Sequence, residues 1–329
     1  MPEGEFYMNQ PTEIQYIKAI AGARNISAAA ETLGISQPAL SAYLKKLENQ
    51  IGAMLFDRSK KPLSLTETGK AYLQYANQVE ALNREFMKQV SDLEELKSGT
   101  LTIGGASFFN TTYIPGAVAG FLTEYPCIDV EIIDGTVPEI SVAALNGKVD
   151  MFITPTAEDT ERFFYEKLLD EKIFVAVPPQ WKINKVLGQK HGGASDKCMQ
   201  GGYKRLDAED FILLEDETFI LLHKGQHIGR KMAQLFERHS LNPRHTVLVD
   251  QTMTSLALTR AGVGISLITE STIKGSGLAD PPCLYLADED ICSREIFAAY
   301  PKNKYCSRAT SEFIRILKDN NRAAADSIA

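Results

Sequence analysis

From Asn25 to Glu48 the chain reads Asn-Ile-Ser-Ala-Ala-Ala-Glu-Thr-Leu-Gly-Ile-Ser-Gln-Pro-Ala-Leu-Ser-Ala-Tyr-Leu-Lys-Lys-Leu-Glu, and few backbones accommodate it. Ala28, Ala29 and Ala30 give a helix surface small enough for a second helix to cross closely. Gly34 permits a tight turn between the two. Ser36 is a strong N-cap, and Pro38 falls in the first turn, where a missing N–H is harmless. Leu40, Leu44 and Leu47 then form an inward stripe at helical spacing. Upstream, Ile14, Ile17 and Ala21 mark helical character over residues 12–33, interrupted from Gly22 to Asn25, with Asn25 or Ser27 capping the restart. The pattern predicts packed helices that present Ser36 and Gln37 at a helix N-terminus, where side chains enter a major groove. Lys45 and Lys46 follow in reach of phosphates. The bland alternative is a plain helical hairpin in another fold.

What comes next narrows the choice. Ile51-Gly52 ends the helix. Leu55 to Arg58 and Leu63 to Leu65 are short apolar segments flanking Ser59-Lys60-Lys61-Pro62, which predicts a small β-hairpin, or wing. Thr66 starts a long helix with Ala71, Leu73, Ala76, Val79, Leu82, Phe86, Val90, Leu93 and Leu96 on one stripe. A single narrow stripe over about thirty residues suits a helix packed on a partner chain. Ser98-Gly99 is its expected stop and hinge.

The net charge of −7 argues superficially against nucleic acid. Its distribution matters more. From Ser36 to Lys61, five basic side chains (Lys45, Lys46, Arg58, Lys60, Lys61) face two acidic ones (Glu48, Asp57), a local net of +3. At 329 residues the chain has room for two or three domains. Five cysteines without CxxC spacing fit reduced thiols and a cytoplasmic location. Met1 to Tyr7 is acidic and lacks the apolar core of a signal peptide, and no spanning segment or membrane partner is expected.

From Thr100 the texture changes to alternating strands and helices. Strands are expected at Leu101–Gly104, Ile128–Ile133 and Asp150–Thr154, with helices near Pro115–Tyr125 and Val137–Asn146. That βαβαβ order implies a parallel sheet covered by helices. Ile173–Pro178 is the next expected strand. Phe211–Leu214, Gly229–His239, Arg244–Val249, Met253–Arg260 and Gly264–Ile268 then alternate, starting with a strand. Cys283–Leu286 and Glu295–Tyr300 read as strands and Cys306–Lys318 as a helix. Residues 184–204, rich in Gly and Lys, read as a surface insertion.

The Asn25–Glu48 stretch, with Ile51-Gly52, Leu55-Phe56, Arg58 and Leu65-Thr66-Glu67-Thr68-Gly69, closely resembles the DNA-binding domain of LysR-type transcriptional regulators over residues 11–70. The α/β half, through Gly104-Gly105-Ala106-Ser107 and Ala261-Gly262-Val263-Gly264-Ile265, resembles that family's periplasmic-binding-protein-like effector domain more loosely. The resemblance implies an α+β multi-domain chain. Residues 1–66 would be a winged helix-turn-helix and 67–98 a dimerising linker helix. Residues 99–329 would be a two-lobed effector domain, lobe I spanning about 100–173 and 269–329 and lobe II about 174–268. Ser36, Gln37, Pro38, Ala39, Ser41 and Ala42 would face the groove, with Asn25 beside them. Tyr43 and Lys45 would reach base edges or backbone. Arg58, Lys60 and Lys61 would contact phosphates or the minor groove. Ala42 departs from the family, which often has a basic residue there.

The partners implied are double-stranded DNA, a small-molecule effector for which a carboxylate or similar small anion is the natural fit, further copies of the chain as dimer and tetramer, and RNA polymerase. Ligands of α/β sheets bind beyond the C-terminal strand ends. There the reading collects Ser107, Phe108, Thr136 and Thr154 from one lobe and His223, Gln226 and Ile268 from the other. Each hydroxyl has a plainer reading as a local cap. His223 and His227 have HxxxH spacing, but Gly225 between them speaks against a metal-binding helix. Gly262-Val263-Gly264 lacks the third glycine of a dinucleotide fingerprint. No nucleophile elbow surrounds Ser107. Neither a cofactor, a metal nor a catalytic residue is therefore expected. The rival classes are a solute-binding protein and an enzyme built on the α/β half.

Overall fold

The structure is a computed structural model and describes residues 12–94, 96, 98–190, 203–278 and 280–326. It divides into two compact units, residues 1–95 with 145–148 and residues 96–144 with 149–329.

In the first unit, α1 (Thr12–Ala23), α2 (Ile26–Thr32) and α3 (Gln37–Ile51) pack around Ile17, Ile20, Ala29, Ala30, Leu40, Leu44 and Leu47. The expected punctuation is present. Asn25 Oδ1 accepts from Ser27 N (2.8 Å) and Ala28 N (3.3 Å), and Ser36 Oγ accepts from Ala39 N (3.4 Å). Gly52 ends α3 with φ 78°. Strands β1 (Phe56–Asp57) and β2 (Ser64–Leu65) pair antiparallel as the wing.

A buried carboxylate ties the wing to α3. Glu48 is 4% exposed, and its Oε1 accepts from Leu55 N at 2.8 Å and Phe56 N at 3.4 Å. Thr66 caps α4 (Glu67–Leu93) by accepting from Gly69 N (3.0 Å) while donating to Met54 O (2.7 Å). Gly69 must be glycine: a Cβ there would lie 2.0 Å from the Leu55 carbonyl oxygen. The α4 stripe splits. Ala76 is buried, whereas Leu82, Phe86 and Leu93 are exposed. Leu93 ends the helix, short of the expected stop at Ser98-Gly99. Leu96, expected on the same stripe, instead adopts φ 60° and is buried in the core of the second unit.

The second unit is built from β3 (Gly99–Gly105), α5 (Ser107–Thr112), α6 (Ile114–Glu124), β4 (Ile128–Asp134), α7 (Val137–Leu145), β5 (Met151–Thr154) and the long β6 (Phe163–Val177). There follow α8 (Ile183–Lys190), β7 (Lys204–Arg205), α9 (Ala208–Leu214), β8 (Thr218–Leu222), α10 (His227–Arg238), β9 (His245–Val249), α11 (Thr252–Ala261), β10 (Ile265–Thr269), α12 (Glu270–Gly275), β11 (Cys283–Leu286), β12 (Ser293–Pro301) and α13 (Arg308–Asp326). The strand order is β4-β3-β5-β12-β6-β10-β8-β9, with β11 against β6 and β7. The β3–β4 and β3–β5 pairs are parallel as expected, the β8–β9 and β8–β10 pairs are parallel too, and β12 and β10 run antiparallel to β6.

β6 serves both lobes. Residues 163–172 pair with β12 and residues 173–176 with β10. Only its apolar end, from Ile173, was expected as a strand. Glu166, Lys167 and Asp170 interrupt the first part, and there they serve ion pairs: Lys167 with Asp170 and Glu295, Glu166 with Lys318. Phe211–Leu214 is helix rather than strand, because Asp207 and Asp210 form a reciprocal capping box in front of it. The strand is β8, where none was expected. β11 pairs with β6 at residues 175–177. Of the expected insertion, residues 184–190 belong to α8 and residues 191–202 lie outside the described residues.

Candidate DNA-binding and effector sites

The first unit holds its candidate DNA-facing surface from behind. Leu40, Leu44 and Leu47 are buried, so the opposite face of α3 is exposed at Ser36, Gln37, Pro38, Ala39, Ala42 and Lys45. Ser41 is half-buried and accepts from Gln37 Nε2 at 2.8 Å. Tyr43 is turned toward α1: its ring meets Tyr16 edge-on at 4.9 Å, and burial first, then Glu13, pushes its hydroxyl pKa up. Arg58 is tied back to Glu48 at 2.9 Å, while Lys60 pairs loosely with Asp57 at 3.7 Å and Lys61 is exposed. Arg24, not among the expected site residues, is exposed with φ 51°, and its carbonyl accepts from Leu63 N at 3.1 Å. That bond sets the α1–α2 turn beside the wing, and the basic residue before the Asn25 cap was its only signal.

In the second unit, the expected effector residues fall into two sets. Around the ends of β3 and β4, Ser107 Oγ donates to Asp134 Oδ2 at 3.0 Å. Thr136 uses its hydroxyl (2.7 Å) and its N–H (2.9 Å) on Glu139 Oε2, and these bonds hold the Glu139 carboxyl below its usual range. Thr154 is buried and donates to Thr156 O at 3.1 Å. Around the ends of β8 and β9, His223 Nε2 lies 2.8 Å from Asp250 Oδ1, and Gln226 Nε2 donates to Asp250 O at 3.0 Å. Ile268 does not join either set. Its side chain is 0% exposed, packed among Phe174, Ala176, Leu256 and Leu284, so the assignment of Ile268 to a ligand site is corrected to core.

A polar cluster that the sequence did not disclose lies where the strands pass between the lobes. Glu171 of β6 and Arg294 of β12 are register partners, and both are buried. Arg294 gives Nε to Glu171 Oε2 at 2.6 Å. Glu171 Oε1 accepts from Ser271 N at 2.9 Å and from the Ser271 hydroxyl. The guanidinium also sits 5.8 Å and 5.4 Å from the ring centroids of Phe108 and Phe109. A buried ion pair of this kind gives no sequence signal, because its members lie 123 positions apart.

Comparison with known proteins agrees with this architecture. The family of bacterial regulatory helix-turn-helix proteins of the lysR family matches residues 11–70, and the LysR substrate binding domain matches residues 94–191 and 197–322. The uncharacterized HTH-type transcriptional regulator YcgK of Bacillus subtilis is 23% identical over 316 residues, 95% of each chain. A probable RuBisCO transcriptional regulator of Cyanidioschyzon merolae is 31% identical over 170 residues, 51% of this chain and 56% of its own. Among solved structures, full-length CbnR complexed with target DNA superposes with a TM-score of 0.65 at 20% identity, covering 95% of this chain and 99% of that one. Full-length BenM gives 0.53 at 21% identity over 97% of each. Two family domains in the expected order, over most of the length and on the matching fold, place this chain in the LysR family of transcriptional regulators, with a helix-turn-helix DNA-binding unit and an effector-binding unit.

Proposed function

We propose that the N-terminus of α3 reads bases in a major groove while the wing grips the backbone, as a non-enzymatic regulator working in the cytoplasm. One observation carries this reading. Ser36, Gln37, Pro38 and Ala39 are exposed at a capped helix end whose other face is anchored in the core. Gln37 suits adenine, since an amide pairs bidentately with its N6/N7 edge. Ser41, Ala42, Tyr43 and Lys45 complete the α3 contribution, with Asn25 at the neighbouring helix end. Lys60 and Lys61 meet phosphates. Arg58 reaches DNA only in exchange for its bond to Glu48. The exposed Leu82, Phe86 and Leu93 of α4 pair with a second copy, and dimers associate as tetramers. RNA polymerase is a further partner at the promoter.

A small anionic effector binds at the strand ends bearing Ser107, Phe108, Thr136 and Thr154 on one side and His223 and Gln226 on the other. It shifts regulation only through different affinities for two arrangements of the protein. The test is binding of the purified chain to the DNA upstream of its own gene, against unrelated DNA of equal length. Specific binding that Gln37→Ala relaxes in sequence preference supports the reading. Equal affinity for both DNAs, or a Gln37→Ala variant that discriminates like its parent, overturns it.

A further inference from the structure

Three helices of the DNA-binding unit end in a left-handed residue, and one of the three is not a glycine. Gly34 follows α2 with φ 69° and Gly52 follows α3 with φ 78°. Arg24 follows α1 with φ 51°, and its N–H returns to Ile20 O at 2.9 Å. Such a position favours glycine, which has no Cβ to crowd the backbone. An arginine there holds a strained backbone, and strain of this kind clusters where a side chain or turn serves a ligand.

The surroundings define what this side chain can do. The Arg24 carbonyl accepts from Leu63 N at 3.1 Å, so a single hydrogen bond joins its backbone to the chain leaving the wing loop. Leu63 lies two residues past Lys61, and Lys60 and Lys61 are both exposed. Arg24 is exposed as well and pairs with no acid among the described residues. Its neighbours in the wing are less available. Arg58 is held by Glu48 at 2.9 Å, and Lys60 lies 3.7 Å from Asp57. An unpaired guanidinium therefore extends the positive wing onto the α1–α2 turn. Its planar fork of N–H donors matches two oxygens of one phosphate. The turn carries no helix end into a groove, as α3 does with Ser36 and Gln37, so the contact it can make positions the protein without reading bases.

We propose that Arg24 is a further DNA-backbone contact, its guanidinium taking one phosphate beside the wing. The Leu63 bond makes the α1–α2 turn and the hairpin grip that backbone as one piece. The proposal rests on the DNA-binding reading above and adds a residue which that reading does not assign.

The test is a salt series with the full chain, parent and Arg24→Gly, on its own upstream DNA and on unrelated DNA of equal length. Glycine accepts the left-handed turn and keeps the carbonyl that receives Leu63 N, so the variant should unfold close to the parent's denaturant midpoint. Its affinity should nonetheless fall about tenfold per bound chain near 0.1 M salt, by a similar factor on both DNAs. The slope of log affinity against log salt should flatten by about one unit per chain. Parental affinity and slope would mean that Arg24 only shapes the turn, and a change in discrimination between the two DNAs would mean that it reads bases; either result overturns the proposal. Should Arg24→Gly fail to fold, Arg24→Asn decides by the same slope, since asparagine is neutral and tolerates the left-handed region. A phosphate contact acts on any duplex, so the slope on unrelated DNA decides for or against Arg24 even if the parent shows no preference for its own site. That lack of preference would count against base reading by Gln37 alone.

Discussion

Glu48 in the DNA-binding unit and Glu171 in the effector unit are both almost closed to solvent, yet they connect the chain over very different distances. Glu48 reaches residues seven to ten positions away: the amides of Leu55 and Phe56, and Arg58. It sets a wing against the helix that precedes it. Glu171 binds Ser271, 100 positions on, and Arg294, 123 positions on. It fastens together strands and a helix that only the completed fold brings near. A clamp over short separation makes a rigid head. A clamp over long separation joins β6, β12 and α12, elements that no local pattern links.

The sharpest way to break this comparison is Arg294→Met. It leaves Glu171 buried without its cation, which should destabilise the effector unit by about 3–5 kcal/mol. Adding Glu171→Leu should recover most of the loss, since an apolar pair of similar volume is often neutral or better. Denaturant unfolding of parent, single and double variants gives the answer. A single variant no weaker than the double would mean that the pair is not an electrostatic clamp.

The corresponding change in the head is Glu48→Ala. It removes the acceptor of Leu55 N and the weaker bond of Phe56 N, and roughly 2–4 kcal/mol should be lost. Arg58 is exposed and re-enters water, so the charge effect is smaller than at Arg294. DNA affinity should fall along with stability, because the wing loses its tie to α3. Unchanged DNA binding at temperatures where the variant is folded would show that the wing needs no such tie.

A smaller effect separates the two units by pH. The His227 pKa is pushed from 6.5 to about 3, by burial first and by Arg294, Lys231 and Arg230 after it. The unfolded chain takes up a proton that the native ring refuses, so stability falls as pH drops below the unfolded value. From about pH 7 to about pH 5 the loss from this group should be near 2 kcal/mol. It should be absent in His227→Gln, whose unfolding curves would run flatter over that interval. Equal slopes in parent and variant would show that the ring accepts its proton in the folded state.

The contrast between the two carboxylates also explains what could be read in the sequence. The head was legible down to its caps, because Asn25, Ser36, Gly52 and Thr66 each act on atoms a few residues away. Even there Tyr43 escaped, since its partner Tyr16 sits on another helix. In the effector unit the apolar strands were legible and the first ten residues of β6 were not, their charges being matched by β12 and α13. Ile268 looked available at a strand end and is enclosed by side chains from β6, α11 and β11. Glu171, Ser271 and Arg294 carried no local pattern at all.

Lys60→Ala should have the smallest effect on folding and separates binding from architecture most cleanly. The Lys60–Asp57 pair spans 3.7 Å between an exposed lysine and a half-buried aspartate at the surface, and such pairs contribute little, so stability should stay within about 0.5 kcal/mol of the parent. Against DNA the same change removes a cation from the wing. Affinity should fall by a similar factor on specific and unrelated sequences, and the slope of log affinity against log salt should flatten by about one unit. If Lys60→Ala instead changes discrimination between sequences while the salt slope stays put, the wing is reading DNA rather than holding it, and the division of labour between α3 and the hairpin must be redrawn.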